Sequence, residues 1–129
     1  MIKHLPDGSP FEKAIGYSRA VLDQDMIYVS GSTGYDVGTG ILPEDVAMQT
    51  RNTLSIIANS LKEAGSSLKD VVRVRYYLKD VNDLEAIIPV LAEAFGNIKP
   101  AATLVVTDLI LPEMKIEIEV TARIGAATS

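Results

Sequence analysis

From Lys115 to Ile124 the chain alternates. Ile116, Ile118, Val120 and Ala122 fall on one side, and Glu117, Glu119, Thr121 and Arg123 on the other. A period of two marks a β-strand with one face buried and one face in water. Such a strand needs neighbours in a sheet and a layer to cover its apolar side. Val71 to Leu78 supplies a second strand of the same kind, with Val72, Val74, Tyr76 and Leu78 opposed to Arg73, Arg75, Tyr77 and Lys79. Residues 18–23 and 26–32 read as two more strands joined by a tight turn at Asp23-Gln24-Asp25, and Thr103 to Ile110 as another, joined to the last around Leu111-Pro112-Glu113. A further N-terminal strand is expected around His4.

Two helices supply the cover. Pro43 to Ala64 carries Ala47, Thr50, Leu54, Ile57, Ala58 and Leu61 at helical spacing, with Pro43, Glu44 and Asp45 suited to its start and Gly65 to its stop. Asp83 to Phe95 follows, with Asn82 and Glu85 resembling a capping box, Gly96 closing it, and Pro89 expected to kink or break it. The order is βββαβαββ: an α+β domain over residues 1–129, a mixed sheet with two helices on one face. The uncovered face is expected to keep apolar and aromatic residues, so association of copies is expected to bury it. Gly31, Gly34, Gly38 and Gly40 read as loop formers, and the tail 125–129 as frayed.

The chemistry is narrowed mainly by what the sequence lacks. There is no cysteine and one histidine, so disulfides, thiolate catalysis and clustered cysteine or histidine metal sites are not expected. His4 reads as structural or surface. There is no P-loop and no GxGxxG between a strand and a helix, so no nucleotide cofactor is expected. A net charge of −5 disfavours nucleic acid as a partner. No apolar run is long enough to span a bilayer, and no secretory signal is visible, so a cytoplasmic protein is expected. Carboxylates, hydroxyls and backbone amides remain. Glu117 and Glu119 share one strand face, and Tyr17 and Ser30 stand beside glycines.

Five ordered segments resemble the RidA/YjgF family. Ala14-Ile15-Gly16-Tyr17-Ser18-Arg19-Ala20-Val21 is similar to its "IGPYSQAV" motif without the proline, and Tyr28-Val29-Ser30-Gly31-Ser32 to its "SGQ" segment. Val71-Val72-Arg73-Val74 with Tyr77 to Asp83 resembles its "vvk…vyv.Dl.df" stretch. Pro100-Ala101-Ala102-Thr103 falls where the family has "PARS" or "PART", and Leu111-Pro112 with Lys115 to Glu119 where it has "LP…vEIE".

The resemblance implies a chorismate-mutase-like fold and a homotrimer, with the sheets forming an inner barrel and small-molecule clefts between subunits. It implies hydrolytic deamination of imines or enamines such as 2-aminoacrylate. Glu117 would be the catalytic carboxylate, with Tyr17, Ser30, Gly31, Ala102, Thr103 and Leu104 lining the cleft. At the decisive position, however, the family's carboxylate-binding arginine is Ala102, which has neither charge nor donor. Ile88 and Leu104 likewise replace a common asparagine and cysteine. The expected activity is therefore deaminase-like chemistry on a small reactive metabolite other than 2-aminoacrylate, with a neutral or cationic ligand favoured. Arg19, Arg73, Arg75 and Arg123 are candidates for a relocated cation. A non-catalytic binder on the same scaffold is the alternative. A ribonuclease, the label carried by some relatives, fits the acidic balance poorly.

Overall fold

A computed structural model describes residues 2–6 and 8–128. Its elements are β1 (Ile2–Leu5), β2 (Ala20–Asp23), β3 (Met26–Thr33), α1 (Val46–Glu63), β4 (Val71–Leu78), α2 (Leu84–Phe95), β5 (Ala101–Val106) and β6 (Ile116–Arg123). The six strands form one sheet in the order β1-β2-β3-β6-β4-β5. β4 and β5 run parallel and every other pair is antiparallel, so the sheet is mixed as expected.

β6, the last strand in sequence, is inserted between β3 and β4 at the middle of the sheet. Its alternation is realised: Ile116, Ile118, Val120 and Ala122 are buried, while Glu117, Glu119, Thr121 and Arg123 are half-buried on the opposite face. The buried set packs with Ile27, Val74 and Leu78 of the sheet and with Ile57, Leu61 and Ile87 of the helices into one core.

α1 begins at Val46, later than its composition suggested, because the Asp45 carboxylate caps it by accepting the Met48 N–H at 2.9 Å. Its buried face is also more polar than the expected stripe. Thr50, Thr53 and Ser60 are buried and return their hydroxyls to carbonyls one turn back. Gln49, fully buried, donates to the Pro43 and Glu113 carbonyls and accepts from the Lys115 N–H. It thereby fastens two loops to the helix. The chain leaving β3 comes so close here that a Cβ at Gly34 would overlap the Gln49 backbone.

Four other expectations are corrected. Asn82 and Glu85 form no capping box; instead the Asp80 carboxylate accepts the Asn82 N–H at 2.9 Å and caps a single turn at Val81–Asp83 that leads into α2. Pro89 does not break α2: it lies on the exposed side, four residues after the likewise exposed Glu85, where a carbonyl without its N–H partner can be hydrated. The strand expected at 103–110 runs Ala101–Val106, since β4 ends at Leu78 and residues beyond 106 have no strand to pair with. The tail is held rather than frayed: the buried Asp70 carboxylate accepts from the N–H groups of Gly125 and Ala127 and from the Ser66 hydroxyl. Ser129, the last residue of that expectation, lies outside the described residues.

The open face is also more polar than expected. By register it carries Arg19, Arg73, Arg75 and Arg123 beside Glu117 and Glu119, with Tyr28 and Tyr77 among them. One run of exposed apolar side chains lies at the sheet edge and the loop after it: Leu104, Val105, Val106, Ile110 and Leu111.

Candidate functional site

A bulge in β3 organises the open face. Val29 pairs with Val120 and Ser32 with Ile118, so β3 holds one more residue than β6 across this stretch. A bulge of this kind interrupts the ladder and turns backbone groups away from it. The sequence supplies local partners for them. Ser30 Oγ donates to the Ser18 carbonyl at 2.6 Å, and Ser32 Oγ donates to the Ser30 carbonyl at 3.2 Å. Arg19 Nη2 donates to two successive carbonyls, Ser30 at 2.6 Å and Gly31 at 3.0 Å. Gly31 therefore belongs to a strand, not to the loop its neighbours suggested.

The bulge seats a carboxylate. A Cβ at Gly31 would overlap Glu117 Oε2, so the Glu117 side chain rests on the bare Cα of Gly31. Glu117 lies between Thr33 of β3 and Tyr77 of β4 in the register. Burial pushes its carboxyl above the usual glutamate range, and the neighbouring Glu119 carboxylate adds to this; Arg19 opposes both. The Tyr77 hydroxyl donates to Glu119 Oε1. That bond first, and then burial, raise the Tyr77 hydroxyl, which therefore stays protonated as the donor. A half-buried carboxyl with raised proton affinity and a cation nearby is suited to taking up and returning a proton.

Among the expected site residues the structure gathers one group and sets another apart. Ser30, Gly31 and Glu117 meet at the bulge, and Tyr17 precedes Ser18 and Arg19 on the segment entering β2. Ala102, Thr103 and Leu104 lie on β5 at the sheet edge, with β4 between them and β6. At the usual strand spacing that is roughly 10 Å from the strand of Glu117. Ala102 pairs with Val74 and so projects to the helix side, opposite the face of Glu117; Thr103 projects to the open face, where its Oγ1 accepts from Arg73 Nη2 at 2.8 Å. Ile88 is exposed on α2, outside this group. A groove of about 1080 Å³ between α1 and α2, floored by Leu54 and Val90, lies on the helix side as well and does not reach Glu117.

The family model described as Endoribonuclease L-PSP matches residues 9–124. The chain belongs to this family, the RidA/YjgF family. It is 37% identical to the 3-aminoacrylate deaminase RutC of Acinetobacter baylyi over 93% of this chain and 95% of that protein. It is 34% identical to the 2-iminobutanoate/2-iminopropanoate deaminase of Capra hircus over 100% and 96%. A solved structure of a YjgF/YER057c/UK114 family member from Mycobacterium tuberculosis superposes with a TM-score of 0.87 at 40% identity, covering 96% of this chain and 100% of that one. Glu117 and Ala102 both fall inside the RidA/YjgF match, so both parts of the candidate site belong to the shared fold.

Two features of this RidA/YjgF site escaped the sequence. Arg19 stood among four candidate cations with nothing to rank it, and the structure places it against the bulge that carries Glu117. Arg19 acts on Glu117 in the sense opposite to burial and to Glu119. The Tyr77–Glu119 bond had no sequence signal, because it depends on β6 entering the sheet beside β4.

Proposed function

We infer that this protein is a hydrolytic deaminase acting on a small imine or enamine, with Glu117 as the proton-transferring group. An enamine first tautomerises to its imine. Water then adds to the imine carbon, and Glu117 takes one proton from that water and returns it to nitrogen, giving a carbinolamine. The carbinolamine hydroxyl then gives its proton to nitrogen by way of Glu117 as the C–N bond breaks, and ammonia leaves behind a carbonyl. The observation that carries this reading is the Glu117 carboxylate seated on Gly31 with its proton affinity raised. The deaminase names of similar proteins support the reaction class.

Ala102 sets the limit on substrates. It offers no partner to a substrate carboxylate, so 2-aminoacrylate is a poor substrate in this reading. Cleft formation between copies, as a homotrimer, completes the proposal. The chain exposes 7605 Å², whereas a compact monomer of this mass exposes roughly 6,700 Å². The excess of about 900 Å² is close to one partner's share of a standard interface. The exposed edge strand β5 carries Ala102, Thr103 and Leu104 to where a second copy would meet them. Non-catalytic binding of a small ligand is the second reading, favoured by the apolar character of Ala102 and Leu104.

A panel of small imines and enamines, 2-aminoacrylate included, tests both readings on wild type, Glu117→Ala and Ala102→Arg. Turnover of at least one imine is expected, falling about 100-fold or more in Glu117→Ala. Ala102→Arg is expected to raise the rate on 2-aminoacrylate from a low starting value. Turnover unaffected by loss of Glu117 would reject the mechanism, and binding without turnover across the panel would select the second reading.

A further inference from the structure

We propose that Arg19 is a positioning residue of the Glu117 site, clamping the Ser30–Gly31 bulge and supplying the positive charge beside the carboxylate seated there. The proposal rests on the deaminase reading for its catalytic consequence, but its structural part stands alone.

The four arginines of the open face are not equivalent. Arg73 donates to the Thr103 hydroxyl at the β5 edge. Arg75 lies opposite Glu119 in the register, and Arg123 lies opposite Met26 at the far end of β3. Arg19 lies opposite Ser30, because Ser30 N–H donates to the Arg19 carbonyl at 3.0 Å, and its guanidinium returns to the same bulge from above. Two donors on one nitrogen reach two consecutive carbonyls at 2.6 and 3.0 Å. An ammonium can supply charge here but not this fixed planar geometry.

The clamp matters because the bulge fixes where Glu117 sits. The carboxylate has no side chain beneath it, only the Gly31 Cα, so its position follows the local backbone. The groups facing it are Arg19 from the segment entering β2, Gly31 and Thr33 from β3, Glu119 from β6, and Tyr77 and Arg75 from β4. Of the cations in this set, Arg19 is the one that acts on Glu117; the neighbouring Glu119 carboxylate acts in the opposite sense. Removing Arg19 therefore leaves burial and Glu119 unopposed.

The test is a carboxyl-carbon NMR titration of Glu117, assigned with Glu117→Gln, in wild type, Arg19→Gln and Arg19→Lys. Arg19→Gln is expected to move the Glu117 midpoint to higher pH, and Arg19→Lys to keep it near wild type. Amide hydrogens of Ser32 and neighbouring strand residues are expected to exchange faster in both variants, because neither retains the fork. If Arg19→Gln does not fold, Arg19→Lys decides: exchange as slow as in wild type overturns the clamp. An unchanged Glu117 midpoint in folded Arg19→Gln overturns the electrostatic role. Turnover adds a separate readout. Arg19→Lys should lower kcat about tenfold with KM held within about twofold, as expected for loss of geometry in the chemical step. A wild type without any imine turnover defeats the deaminase reading and leaves the titration and exchange results to decide Arg19.

Discussion

Gly31 carries more information than its lack of a side chain suggests. Its Cα is the surface on which the Glu117 carboxylate lies, so a single methyl group there competes with a carboxylate oxygen for space. The obstructing atom is the end of a flexible side chain, which can swing away, so Gly31→Ala should fold. It should cost less than about 1.5 kcal/mol in urea unfolding while lowering imine turnover about 100-fold, close to the loss in Glu117→Ala. Retention of wild-type turnover in Gly31→Ala would show that the seat is not needed. The sequence marked Ser30 and Gly31 through a motif and Glu117 through another. It could not show that these segments touch, because that contact depends on one extra residue in β3 shifting the pairing with β6.

Most elements were readable because each rests on local periodicity. β6, β4 and both helices appear where their apolar spacing placed them, since alternation and the 3.6-residue stripe reflect faces that burial then selects. The exception is Val72, expected on the buried face of β4 but exposed, because the pairing with β6 shifts between Val71 and Arg73 and buries Val71 instead. The discrepancies lie where distant partners decide. β5 ends at Val106 because β4 ends, and the tail 125–128 is ordered because Asp70, more than 50 residues away, accepts its N–H groups. That attachment has a pH signature. The Ser66 hydroxyl bond first, assisted by the Ala127 and Gly125 N–H groups and Arg123, holds the Asp70 carboxyl below its ordinary value of 3.8 despite burial. A folded-state value below the unfolded one contributes stability above pH 3.8 that is lost as pH falls through the folded value. Asp70→Asn should therefore cost about 1–2 kcal/mol at pH 7, and the gap to wild type should shrink as pH drops below 3.8. Urea midpoints measured from pH 7 down to pH 2.5 check this; a gap independent of pH would remove the carboxylate from the explanation.

For the molecule as a unit, the exposed edge strand is the feature that asks for a partner. Val106 is 49% exposed in the isolated chain, so a lysine there meets no steric obstacle within the subunit. Wild type is expected to sediment at about three times the 13.9 kDa of one chain. Val106→Lys is expected to sediment as a monomer with an unchanged circular dichroism spectrum. A wild type already at 13.9 kDa would refute the assembly. Another consequence follows from the place of β6. The strand at the centre of the sheet is the last of its six strands to be synthesised. Until it emerges from the ribosome, β1-β2-β3 and β4-β5 are two separate ribbons with no strand to join them. The sheet therefore closes only after Ile116–Arg123 has been made, and a message truncated shortly before Ile116 would yield two unjoined half-sheets rather than a smaller working protein.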